Sequence, residues 1–235
     1  MMAPAWGADV VSSNIVGYNK MTLPAGLSIA GEGFTAIGGD EVSIQSIVAE
    51  NGIDVWGGDS IRIWNGTKYT NYYYFGVDAD EGSEGLSDGT SGWGDLNGDP
   101  VDGTIPAETG FWVQLQNPAT ITASGEVGTN NCVTVNAGLS LICNPQPCDI
   151  DIQDIVPKSG IDVWGGDSIR IWNGTKYTNY YYFGVDADEG SEGLSDGTSG
   201  WGDLNGDPVT VTIPLGQGFW INTQGPATIT FDNGL

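Results

Sequence analysis

The feature that most constrains this chain is an internal copy. Residues Gly52 to Val101 recur without one change as Gly160 to Val209, at an offset of 108. The flanks match less closely. Thr104-Ile105-Pro106 and Gly110-Phe111-Trp112 correspond to Thr212-Ile213-Pro214 and Gly218-Phe219-Trp220, while Ala25-Gly26-Leu27-Ser28 corresponds to Ala137-Gly138-Leu139-Ser140 at an offset of 112. The first copy therefore carries four extra residues, placed most simply between Glu32 and Glu41. Any fold must be built twice from one plan, and 235 residues divide into two domains of a common size for small β units. The expected division is an N-terminal extension over 1–18, a first repeat over 19–125 and a second over 126–235.

Within each repeat the signals are those of strands. Ser60-Ile61-Arg62-Ile63-Trp64 alternates, Asn65-Gly66 follows, and Thr67 to Phe75 is rich in Tyr and Thr. Asn-Gly between two such runs predicts a two-residue hairpin, because a type I′ turn needs positive φ twice. That register would place Arg62 opposite Tyr69, and Ile61 and Ile63 on one face with Tyr72 and Tyr74. A second hairpin is expected from Phe111–Leu115 through Asn117-Pro118 to Ala119–Thr122, and a third at Pro24-Ala25-Gly26. The single helical candidate is a short one over Val42 to Ala49. The expected fold class is all-β: two tandem homologous β-sandwich, jelly-roll-like domains with an N-terminal extension strand.

Composition narrows the function. The chain has no His, 30 acidic and 6 basic residues, and a formal net charge of −24. Without His there is no Ser-His-Asp or Cys-His catalysis and no His-bound zinc. A charge of −24 repels phosphate backbones and anionic lipid, so neither nucleic acid nor a membrane surface is an expected partner. No apolar run reaches the ~20 residues of a membrane helix. With 39% hydrophobic residues, 9 Trp and 9 Tyr, the chain has ample core material. No pattern singles out a raised-pKa carboxylic acid beside a base, so the chain is not expected to be an enzyme.

The first residues, Met1 to Ala8, look like the end of a secretory signal, apolar and then small. Behind them, Asp9, Val10, Val11, Ser12, Ser13, Asn14, Ile15, Val16 and Gly17 align with Thr120–Gly128, the strand between the repeats. In this alignment the N-terminal strand has no preceding neighbour and the last strand, Ala227–Phe231, no following one. Head-to-tail subunits would supply both, with Asp9–Gly17 joining a sheet of the next copy; the plain alternative is an edge strand of the first domain. A contact of this kind builds an open filament when it does not close into a ring.

Eight carboxylates between Gly76 and Asp102 and seven between Gly184 and Asp207 concentrate the charge. Asp95, Asn97 and Asp99 have the D-x-N-x-D spacing of half an EF-hand loop, repeated at Asp203, Asn205 and Asp207; Asp78 and Asp80, with Asp186 and Asp188, are a weaker version. Position 12 of that loop is Pro106, not the bidentate Glu. Calcium and a solvated acidic loop are the two readings. Trp56, Trp64, Trp93 and Tyr72–Tyr74 are candidates for a carbohydrate face, against a core role. The three cysteines, Cys132, Cys143 and Cys148, all lie in the second repeat, so one intrachain disulfide, Cys143–Cys148 or Cys132–Cys143, is expected, with one thiol over. Asn65-Gly66-Thr67 and Asn173-Gly174-Thr175 fit the glycosylation pattern, although a turn role suffices for both.

The words Val16-Gly17-Tyr18-Asn19-Lys20-Met21-Thr22-Leu23-Pro24-Ala25-Gly26-Leu27, Ile63-Trp64-Asn65-Gly66-Thr67-Lys68-Tyr69 and Gly110-Phe111-Trp112-Val113 resemble a group of secreted bacterial β-repeat proteins of Verrucomicrobia-like lineages. The resemblance implies an exported, extracellular or cell-surface protein and carries no catalytic residues. Together these readings predict a secreted, acidic structural subunit that self-assembles into an extracellular filament or bacterial surface layer by strand complementation, its partner being further copies of itself. The rival expectation is an extracellular carbohydrate-binding or adhesin module that takes glycans and depends on calcium.

Overall fold

A computed structural model describes residues 16–34, 41–106, 108–127, 132–188 and 190–232. Among these the chain is all-β, with two single-turn 3-10 helices and no α-helix. The first repeat runs β1 (Val16–Leu23), β2 (Gly26–Gly31), β3 (Glu41–Ser43), β4 (Val48–Asn51), β5 (Trp56–Trp64), β6 (Tyr69–Phe75), β7 (Val77–Asp78), β8 (Ser83–Glu84), β9 (Gly92–Gly94), β10 (Thr104–Pro106), β11 (Gly110–Leu115) and β12 (Ala119–Glu126). The second runs β13 (Cys132–Val135), β14 (Gly138–Cys143), β15 (Ile150–Asp151), β16 (Ile155–Ser159), β17 (Trp164–Trp172), β18 (Tyr177–Phe183), β19 (Val185–Asp186), β20 (Ser191–Glu192), β21 (Gly200–Gly202), β22 (Thr212–Ile213), β23 (Gly218–Thr223) and β24 (Ala227–Phe231). Strand for strand the two lists correspond. The four-residue insertion falls between β2 and β3.

Each repeat holds a five-stranded sheet (β2-β11-β5-β6-β9; β14-β23-β17-β18-β21), a three-stranded sheet (β1-β12-β4; β13-β24-β16) and two-stranded pieces. The sheets are small and the arrangement is that of a four-bladed, propeller-like ring, not clearly that of two jelly-roll sandwiches. Two of the expected hairpins are replaced by crossings. β1 pairs with β12 and β2 with β11, so the chain changes sheet at Pro24-Ala25; it changes back between β11 and β12 at Asn117-Pro118. Turn residues mark where a chain reverses but not which sheet receives it.

The β5–β6 hairpin forms in a different register. Its loop has four residues, Asn65 to Lys68, closed by the Asn65 N–H donating to the Lys68 carbonyl (3.1 Å), so Arg62 faces Asn71 and Trp64 faces Tyr69. Asn65 Oδ1 accepts from Thr67 N–H, Thr67 Oγ1 and Lys68 N–H, and Gly66 takes φ +94°, which favours Gly there. The faces come out as expected: Ile61 is buried, and Ile63, Tyr72 and Tyr74 pack against the same core. The short helix expected over Val42–Ala49 is one 3-10 turn, Ile44–Ser46, capped by the Ser43 side chain and flanked by β3 and β4.

Each repeat has its own core. In the first, Ile61, Phe111, Val113, Ile121 and Ala123 are fully buried between the two larger sheets, with Ile44, Ile47, Trp93 and Ile105 closing one end. Trp93 shows why this core is specific. Its indole N–H donates to the Ile47 carbonyl (2.8 Å), and Tyr74 meets its ring edge-on at 5.3 Å. Gln45 straps the same end, its amide donating to the Trp93 and Val101 carbonyls and accepting from the Trp93 N–H. Trp201, Tyr182 and Gln153 repeat the whole arrangement.

Candidate functional site

A third apolar cluster joins the repeats: Ile29, Leu141 and Trp220 are buried there, with Trp64, Trp112 and Trp172 packed around them. Alternation explains it. On β11 the side chains of Phe111, Val113 and Leu115 enter the core, so Trp112 stands on the opposite face, beside Ile29 of β2 and Arg62 of β5.

The contact between the repeats is made by equivalent residues in exchanged roles. Trp64 meets Trp220 at 6.0 Å and 73°, and Trp172 meets Trp112 at 5.6 Å and 71°. The Gly31 N–H donates to the Gly216 carbonyl (2.8 Å), and the Cys143 N–H donates to the Glu108 carbonyl (3.0 Å). Ala30 bridges Gln217, and Ile142 bridges Thr109. Each pair maps onto the other by the repeat offsets. This is isologous packing, the pattern of a two-fold dimer, inside one chain.

The symmetry breaks at a few residues. Trp172 donates its indole N–H to the Leu27 carbonyl (2.8 Å), whereas the buried Trp64 Nε1 has no partner among the described residues. Asn144 is fully buried with its amide donating to the Cys148 and Ile213 carbonyls and its carbonyl accepting from the Gln146 N–H. At the equivalent position stands Glu32, also buried; Ser46 donates to its Oε1 (2.8 Å), and Oε2 has no partner among the described residues. Burial lifts the Glu32 carboxyl to about 7, against the pull of the Ser46 hydrogen bond. Burial likewise pushes the nearby Cys143 thiol up to about 12.

The acidic turns are built as turns. Asp95 Oδ1 accepts from the Asn97 and Asp99 N–H groups, and Asp203 does the same for Asn205 and Asp207. These bonds hold the Asp95 and Asp203 carboxyls below the usual range. Ser87 donates to Asp99 and Ser195 to Asp207; Asp78 accepts from the Asp80 N–H and Asp186 from the Asp188 N–H. Among the described residues no three His, Cys, Asp or Glu side chains gather where they could hold a metal ion.

The aromatic candidates separate. Trp93 is core and Trp64 lies in the inter-repeat cluster; Tyr72 and Tyr74 pack against the core. Trp56 alone among the singled-out Trp residues is exposed, at 57%, and its twin Trp164 at 55%. The expected disulfide does not form: Cys132, Cys143 and Cys148 are all thiols outside any disulfide. Cys132 sits on β13 opposite Thr230, Cys143 ends β14 inside the interface, and Cys148 is exposed. Residues Asp9 to Ile15 lie outside the described residues. Val16 and Gly17 begin β1 and pair with Glu126 and Gly125 of their own chain.

β1 is an edge strand. Its sheet has the order β1-β12-β4, so among the described residues β1 and β4 each have one ladder partner and one open side; β13 and β16 stand likewise. Lys20 of β1 and Glu50 of β4 form an ion pair across β12, where Thr122 also donates to Glu50 (2.6 Å). Glu32, Gln45 and the outward Trp112 escaped sequence reasoning; the alternation of Phe111-Trp112-Val113 was the signal for the last. Comparison with protein-family models, curated proteins and solved structures finds no match.

Proposed function

We propose that the chain is a secreted structural subunit that associates head to tail into an extracellular filament or surface layer. The observation that carries the reading is the one-sided pairing of β1. Among the described residues it leaves an unpaired row of backbone groups, and the sequence leading into it, Asp9–Ile15, has the β-branched character of a strand that can join a neighbour's sheet. Two further features support it. The repeat already packs against a copy of itself through equivalent residues, so its surface is self-complementary. The charge of −24 keeps assembled copies soluble and apart. Each repeat is taken as one sandwich-type unit, its five- and three-stranded sheets sharing a core. The resemblance to secreted β-repeat proteins and the signal-like Met1–Ala8 agree with export.

Negative-stain microscopy of the full chain beside a variant lacking residues 1–15 tests this. Polymers from the first and folded monomers from the second support it; identical monomers from both overturn it. A second reading, a glycan-binding adhesin, is favoured by one observation, the exposed Trp56 presented again at Trp164. Retention of the chain on a polysaccharide, lost in Trp56→Ala/Trp164→Ala, would support that reading.

A further inference from the structure

The duplication gives this chain two copies of every sheet edge, and the two copies of one edge differ. β4 pairs with β12 as β16 pairs with β24, with Ala49 against Ile121 and Pro157 against Ile229, and with the same register shift beside them. Proline has no N–H, so it fits this ladder only where its nitrogen faces away from the partner strand. The Ala49 N–H, in the same place, therefore points off the open side of β4, while β16 offers no donor there. The next residue differs too. In β16 it is Lys158, exposed at the edge, a residue type that discourages strand addition. In β4 it is Glu50, whose carboxylate is drawn back over β12 by Thr122 and Lys20. Cys132 stands where Lys20 does, so β13 offers no cation to form such an ion pair.

From this asymmetry we infer that the open side of β4, Val48–Asn51, is the edge that accepts a strand from a second copy of the chain, and that the equivalent edge of β16 is closed. The inference rests on the self-assembly reading and adds its polarity. β1 and β4 are the two opposite edges of one sheet. A copy that offers a strand on the β1 side and accepts one on the β4 side extends the sheet in one direction only. Were β16 equally open, each copy would accept two neighbours and the assembly would branch.

Ala49→Pro tests this well, because the fold already holds a proline at the matching place. The variant keeps its melting temperature and no longer forms polymers; Glu50→Lys, which both frees the edge side chain and inserts the charge found in β16, weakens assembly as well. Pro157→Ala/Lys158→Glu opens the second edge and gives branched or bundled polymers. Wild-type polymers that persist unchanged in folded Ala49→Pro and in Glu50→Lys overturn the inference while leaving self-assembly intact. A wild-type chain that stays monomeric overturns the self-assembly reading and this inference with it.

Discussion

Gly31 and Cys143 hold equivalent positions in the two repeats, and they touch. A Cβ built on Gly31 would collide with the Cys143 side chain. A residue that meets its own counterpart lies on the axis relating the two copies, so the pseudo-two-fold passes between these residues. Only one of the pair can carry a side chain of any size. Gly31→Ala is expected to force the repeats apart locally and to cost about 1–3 kcal/mol, as overpacking does. Denaturant unfolding measures the loss, and a paired Gly31→Ala/Cys143→Gly variant should recover most of it. Equal stability of Gly31→Ala and wild type would show that the contact is slack.

The thiols give an independent check. With no disulfide, unfolded protein titrates three thiols. In the native state exposed Cys148 reacts readily with a thiol reagent, while Cys143, buried and with its thiol pushed up to about 12, stays silent until the interface opens. A native count of one thiol, with two appearing only on reduction, would contradict this.

Sequence reading reached the duplication, the strand character, the site of the four-residue insertion and the core face of β5 and β6. It did not reach the sheet assignments. Asn117-Pro118 signals a reversal in the same way whether the next strand pairs with its predecessor or crosses to another sheet, and β12 crosses. Nor could it reach the partners of Trp64 and Trp112. Alternation puts Trp112 outside its own core, but whether that face meets water or another repeat depends on packing that two separate motifs do not encode. The Cys132–Cys143 pairing needs one hairpin turning at Ala137-Gly138, but β13 and β14 enter different sheets there, and Cys143 is turned into the inter-repeat contact.

Glu32 makes stability depend on pH. Its folded carboxyl titrates at about 7 against an ordinary 4.5, so between these values the folded chain holds a proton that the unfolded chain has lost. Stability therefore falls as pH rises from 4.5 to 7, by an amount of the order of 3 kcal/mol, and this contribution is flat above. Glu32→Gln, which keeps the shape and removes the titration, should be the more stable chain at pH 8 and should flatten that part of the profile. Parallel pH profiles for the two proteins would show that Glu32 is not the group responsible. Asp59 and Asp167, also raised by burial, remain in both chains and cancel in the comparison.

The acidic turns predict indifference to chelators. Asp95 and Asp203 spend their Oδ1 atoms on two backbone N–H groups each, so the turns close without an ion. Melting with and without a calcium chelator should give the same temperature, while Asp95→Ala lowers the melting temperature through the lost hydrogen bonds to the turn. A melting temperature that drops on chelation would place calcium in these loops.

Self-association is the central claim, and microscopy with sedimentation of two proteins tests it most directly. The full chain should form linear polymers of uniform width, and the chain lacking residues 1–15 should sediment as a folded monomer with β1 intact from Val16. A full-length protein that remains a monomer at every concentration would contradict the account.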